Sequence, residues 1–117
     1  MMREEGFAAE RAAKVWLEKQ GLRFIDKNVS CQHGEIDIIM RDKDNYLVFV
    51  EVRMRNNEEY ASALESVTLS KQSKLRKTAL FYLQKKGQMD KEDCRFDVVA
   101  AEKQAGGFTF DWIKDAF

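Results

Sequence analysis

The spacing of apolar residues changes along the chain, and the changes mark its elements. Through "GFAAERAAKVWLEKQG", Ala8, Ala12, Val15 and Trp16, with the stem of Lys19, recur at intervals of three and four. That spacing predicts a helix with one buried stripe, closed by a cap at Gly21. "LRFIDKNV" alternates and predicts a strand, with "SCQHG" as the connection after it. The apolar runs "IDIIM" and "YLVFVEV" follow, separated by a short polar segment that can only be a turn. They predict a hairpin. "NNEEYASALES" has little periodicity and reads as a loop leading into a helix. "SKQSKLRKTALFYLQKKG" is that helix, with Ser70 as its N-cap and Leu75, Ala79, Leu80 and Leu83 as its apolar stripe. Lys85, Lys86 and Gly87 suit its end, by dipole and cap. "CRFDVVAAE" is a strand, "KQAGG" a turn and "FTFDWI" a last strand, with Trp112 and Phe117 as anchors for that strand and the tail. The order is helix, three strands, helix, two strands, an α/β arrangement. With 117 residues and no proline, repeat or linker, the expectation is one domain over residues 1–117.

The hairpin carries carboxylates where strand-formers are expected. In an antiparallel pair, opposed residues have a nearly constant sum of numbers, about 88 if the turn centres on Asp44. That register sets Asp37 opposite Glu51, Glu35 opposite Arg53 and Ile39 opposite Phe49. On the other face Ile36, Ile38 and Met40 meet Val52, Val50 and Val48, all apolar. The Cβ atoms of Asp37 and Glu51 would lie roughly 5 Å apart on one face. Two ionised carboxylates at that distance repel by ~3 kcal/mol at an effective dielectric of about 20. Three remedies exist: a protein cation, with Arg53 nearest; a proton on one acid; or a hard divalent ion, which prefers oxygen ligands and keeps several waters. The first makes the acids a structural cluster, the last a working site.

Composition narrows the field. A hydrophobic fraction of 44% fits a globular chain, and no apolar run approaches the ~20 residues a bilayer requires. The charged, amphipathic start lacks the apolar core of a signal peptide, and Cys31 and Cys94 stand apart with no Cys-x-x-Cys pair. A cytoplasmic protein with two free thiols is the expectation. His33 is the single histidine, which argues against a histidine-based triad or a histidine-rich zinc site. It reads as a turn residue. The net charge of zero is unevenly spread: residues 66–91 carry +6 and residues 35–65 carry −4. A basic segment beside an acidic one suits a phosphate-binding surface next to a metal-binding cluster, although a lysine-rich helix also simply shows a solvated face. Lys71, Lys74 and Lys77 recur at helical spacing and are candidates for phosphate contact. Asp97 interrupts "FDVVA" as Asp37 interrupts its own strand, and is expected to pair with a basic neighbour for structural reasons.

Asp37, then Glu51-Val52-Arg53 across a hairpin, with Glu10 on the helix before and Gln72 on the helix after, resembles the PD-(D/E)xK nuclease superfamily. More closely, "GEIDIIMR", "VFVEVRMR", "ALESVTLSKQSKLRKTAL", "CRFDVVA" and "WIKDAF" resemble the YraN family of predicted endonucleases, distantly similar to archaeal Holliday-junction resolvases. The resemblance runs nearly end to end. It implies a restriction-endonuclease-like αβββαββ core, a mixed central sheet flanked by helices. It implies magnesium or manganese held by Asp37, Glu51 and the carbonyl of Val52, with Glu10 reaching the metal through water and Gln72 beside the site. Glu35 would be a further ligand or a partner of Arg53. The superfamily's motif has lysine where this chain has Arg53. Arginine stays charged above ~pH 12 and cannot serve as a general base, so its implied role is to steady charge on the scissile phosphate. The implied reaction is hydrolysis of DNA phosphodiesters, on branched or structured DNA, with water as nucleophile. The alternative is a nuclease-like fold kept as a nucleic-acid-binding or adaptor module. Arg55, Asn56 and Asn57 follow the hairpin as candidate substrate contacts. A small domain gripping both strands would work as a homodimer, though no interface is legible.

Overall fold

A computed structural model of the protein describes the backbone of residues 2–55 and 63–117, and the side chains of that set from residue 6 onward. Its elements are α1 (Met2–Lys19), β1 (Arg23–Cys31), β2 (Gly34–Arg41), β3 (Leu47–Arg55), α2 (Leu69–Lys86), β4 (Cys94–Gln104) and β5 (Gly107–Ile113). This is the expected α/β order. The strands form one mixed sheet in the order β1-β2-β3-β4-β5. All neighbours are antiparallel except β3 and β4, which run parallel and are joined through α2. A parallel pair needs a long crossover, and here a helix supplies it. No described helix is long and apolar enough to cross a membrane.

The central strands are covered on both faces, which is why they read as continuous apolar runs rather than alternating ones. On one face Ile39, Phe49, Val98 and Ala100 pack against Leu75, Ala79, Tyr82 and Leu83 of α2. On the other, Ile38, Met40, Val48, Val50 and Val99 pack against Ala13 and Leu17 of α1. Trp112 meets Trp16 edge-on at 5.9 Å, and Phe117 stacks on Phe96 at 5.0 Å, so both act as the expected anchors.

The hairpin register is the expected one: Ile38 faces Val50, Ile39 faces Phe49 and Met40 faces Val48. Asp42 fixes its turn by accepting from the N–H groups of Asp44 and Tyr46, both at 2.9 Å. Four local expectations are corrected. The buried stripe of α1 is Ala9, Ala13 and Leu17, one residue further round than expected, and Val15 is exposed. Helix α2 is capped by Thr68, whose side chain accepts from the N–H of Lys71, not by Ser70. Its buried face uses Tyr82, while Leu80 is half-exposed. Strand β1 continues through Ser30 and Cys31, so the connection shrinks to Gln32 and His33. Both cysteines are free, and Gly87 closes α2 in the left-handed region as expected.

The last correction lies beside the acids. Ile36 packs with the α2 cluster instead of with Ile38 and Met40. The slip coincides with Asn28, which lies between the Lys27–Ile38 and Val29–Ile36 pairs and has a left-handed φ of 48°. Asparagine is among the few side chains that enter this region readily.

Candidate active site

The recorded pairing of β2 with β3 runs from Arg41–Leu47 to Ile38–Val50, and Asp37 and Glu51 lie one step beyond, where the hairpin opens. Only 8% and 6% of their surfaces are exposed, so both acids are held out of water. The two carboxyl groups are close enough for each to alter the other's ionisation. Asp37 also accepts from the N–H of Val52 through Oδ2 at 2.8 Å. Glu51 Oε2 lies 3.6 Å from Arg53 Nη1 and 3.9 Å from Lys71 Nζ. Arg53 is steadied from behind, its Nε donating to Ser66 Oγ at 3.0 Å while Ser66 donates to the carbonyl of Ala63.

Helix α1 brings Glu10 to the same place. Asn28 Nδ2 donates to Glu10 Oε1 at 2.9 Å, and the charge of Asp37 reaches Glu10. The acids therefore form a chain, Glu10 to Asp37 to Glu51, that crosses the open end of the hairpin. Burial, and then repulsion by Glu51, pushes the Asp37 carboxyl up to about 8, against the opposing effect of the Val52 N–H. Burial likewise raises Glu10 to about 7, opposed by Asn28 and reinforced by Asp37. Glu51 is raised by burial too, while its contact with Asp37 and the charges of Lys71 and Arg53 hold it down. Asp37 and Glu51 influence each other's ionisation, and burial raises both.

Of the other predicted residues, Gln72 turns its Nε2 back to the carbonyl of Val67, at 3.1 Å. Lys74 lies over the start of β2, where a Cβ on Gly34 would meet its own Cβ at 3.6 Å. Lys77 lines a shallow groove with Cys31, Gln32 and His33. The three lysines thus step along α2 from Glu51 to the β1–β2 turn. Arg55 is held elsewhere, by Glu102 at 3.2 Å and Asp111 at 2.8 Å. Glu35 is exposed and its charge reaches Glu10 and Asp37, whereas the ladder that would set it opposite Arg53 is not formed. His33 is an exposed turn residue. Asn56 and Asn57 lie outside the described residues, as does most of the "NNEEYASALES" stretch.

Sequence reasoning missed Asn28, Ser66 and the position of Lys71 at the acid pair. An asparagine inside an alternating strand was the one available signal.

The model of the "Uncharacterised protein family UPF0102" matches residues 9–101. The chain belongs to the UPF0102 family. Full-length relatives agree. A UPF0102 protein of Nitrosococcus oceani is 41% identical over 115 residues, covering 98% of this chain and 92% of that one. UPF0102 protein YraN is 49% identical in Salmonella typhi and 50% in Escherichia coli, each over 116 residues, 98% of this chain and 85% of the relative. The matched span of the UPF0102 model contains every acid of the chain Glu10–Asp37–Glu51, and the resemblance to the YraN family stands.

The donor set fits a hard divalent cation, since it consists of oxygens and carries buried negative charge. Among the described residues no three carboxyl, imidazole or thiol groups converge on one point. An ion here would take two carboxylates and complete its shell with carbonyl and water, the pattern magnesium favours.

Proposed function

We propose that this UPF0102 chain is a metal-dependent endonuclease that hydrolyses phosphodiesters of branched or structured DNA. The observation that carries the reading is the pair Asp37–Glu51, two nearly buried carboxylates that, among the described residues, are offset by one N–H and two flanking cations. Acids so placed destabilise the fold unless they serve a ligand. Magnesium or manganese, held by Asp37, Glu51 and the carbonyl of Val52, would supply the Lewis acidity that phosphodiester hydrolysis needs near neutral pH.

The chain's own groups have definable parts. Asp37 and Glu51 would hold the ion in their ionised forms. Arg53 and Lys71, within 4 Å of Glu51, steady negative charge on the phosphate. Arginine cannot accept the proton of the attacking water at neutral pH, so Arg53 is not the base. Glu10 and Gln72 orient water at the edge of the site. Lys74 and Lys77 extend the positive surface along α2 towards neighbouring phosphates.

A cleavage panel of supercoiled, flapped and four-way DNAs with magnesium or manganese tests the reading. Cleavage that disappears in both Asp37→Ala and Glu51→Ala supports it, and cleavage that survives either change exposes a contaminating nuclease. The arginine at the lysine position favours a second reading, a nuclease-fold module that binds nucleic acid without cutting it. Metal-dependent binding with no cleavage of any panel member would select that reading.

A further inference from the structure

Asn28 combines two properties at one position of β1. It lies between the Lys27–Ile38 and Val29–Ile36 pairs, level with Asp37, and its backbone is left-handed, with a φ of 48°. From there its Nδ2 crosses to α1 and donates to Glu10 Oε1 at 2.9 Å. Glycine would supply the backbone and glutamine the amide. Aspartate enters the left-handed region readily, but it brings a charge that repels Glu10. Asparagine joins the two.

Glu10 has little else to fix it. It is half-buried at the edge of the stripe that buries Ala9 and Ala13, and among the described residues no cation pairs with it. The charges of Asp37 and Glu35 repel it. A glutamate with several rotatable bonds and like charges for neighbours turns to water unless a donor holds it. The Asn28 amide is that donor. A cavity of about 150 Å³ separates α1 from the β1–β2 ribbon here, walled by Glu10, Asn28 and Asp37, with Arg11 and Lys27 on its rim beside Phe7. Polar walls and that volume suit a few ordered waters. With Oε1 engaged by Asn28, Oε2 of Glu10 can serve a water in this space.

We propose that Asn28 is a positioning residue of the metal site, its left-handed backbone and its amide together holding the Glu10 carboxylate where it orients water beside Asp37. Asn28 touches neither ion nor substrate and acts through Glu10. The inference rests on the metal-dependent reading of Asp37 and Glu51, and adds to it a residue of β1 that links the helix to the hairpin.

Manganese titration of the whole chain, followed by the electron paramagnetic resonance signal of the free ion, tests it without any cleavage. Asn28→Gly keeps the left-handed backbone and removes the amide, and should weaken manganese binding about tenfold. Asn28→Ser, whose side chain is too short to reach Glu10, is a second variant with the same expected loss. Glu10→Ala should weaken binding by a similar factor. In Asn28→Gly/Glu10→Ala the losses should not multiply, and binding should stay within about twofold of Glu10→Ala alone. A kink in β1 with a purely structural role would lower the melting temperature and leave manganese affinity unmoved. Arg11→Ala and Lys27→Ala change exposed neighbours of the two residues and should stay within about twofold of the parent. Thermal melting verifies that each variant is folded. Folded Asn28 variants or a Glu10→Ala chain that bind manganese as the parent does overturn the positioning role and leave the metal site intact. So does a double variant weakened about a hundredfold, or a control weakened as much as Asn28→Gly. A parent chain that binds no manganese overturns both.

Discussion

Asp37 and Asp97 interrupt apolar strands in the same way, yet the molecule treats them oppositely. Asp97 has no exposed surface, and its oxygens accept from Arg95 Nε at 3.0 Å, Arg95 Nη2 at 3.1 Å, Trp112 Nε1 at 2.9 Å and the N–H of Asp115 at 2.9 Å. Arg95 also reaches Asp42, so this hub ties the hairpin turn to the C-terminal turn. Asp37 is nearly as buried, but among the described residues the single N–H aimed at it is that of Val52, and its other neighbours are Glu51 and Glu10. One acid is satisfied by the protein and holds the fold together. The other is left in want of a positive partner, which is what a binding site requires and a structural element does not.

The widest separation between the two should come from stability. Asp97→Ala leaves the Arg95 guanidinium with Asp42 alone and strands the Trp112 N–H, and should cost about 3–5 kcal/mol in urea unfolding. A loss below about 1 kcal/mol would break the comparison. Asp37→Asn should leave stability unchanged or raised by about 1 kcal/mol at pH 8, because it removes a repulsive charge. In the same variant, cleavage should fall by a factor of about 10²–10³ or more. A destabilised Asp37→Asn with normal cleavage would reverse the roles assigned here.

The pH dependence sharpens the contrast. Asp37 titrates near 3.8 when unfolded and is raised to about 8 in the fold, so between those values the native chain holds more protons than the unfolded one. Its contribution to stability is therefore complete below about pH 4, declines as pH rises through about 8, and is then flat. Glu10 acts in the same direction over the narrower range from 4.5 to about 7. Asp37→Asn should make this decline shallower, and an unchanged profile would remove Asp37 from the explanation. Since protons compete with an ion for the same oxygens, magnesium should raise the melting temperature more at pH 8.5 than at pH 6. Equal shifts at both pH values would show that the ion binds elsewhere. The smallest effect is expected at Arg53. Its guanidinium spans Ser66 and Glu51, so Arg53→Lys should lower cleavage about tenfold. An increase would mean that the arginine handicaps the site.

How far the sequence could be read follows from how local each feature is. The hairpin register was legible because one short turn fixes it and both flanking runs are strongly apolar, and the acid pair came with it. The buried stripe of α1 was not: Ala8, Ala9, Ala12 and Ala13 offer two nearly equal faces, and only the docking of Leu17 chooses between them. Thr68 and Ser70 are both competent caps two residues apart, and the chain takes the one whose backbone is extended. Tyr82 is buried because it meets Phe49 edge-on at 6.3 Å, a partner far away in sequence.

By itself the sequence determined the order of elements, the two-sided burial of the central strands and the opposition of Asp37 and Glu51, since each depends on residue periods and one tight turn. Only the tertiary structure decided that Lys71 would reach Glu51, that Asn28 would bend β1 to hold Glu10, and that Arg11 and Lys27 would share a rim with Phe7. Those contacts join segments whose distance along the chain carries no period. They exist because α1 and α2 are pressed onto opposite faces of one sheet, and each brings side chains to the end where the hairpin opens.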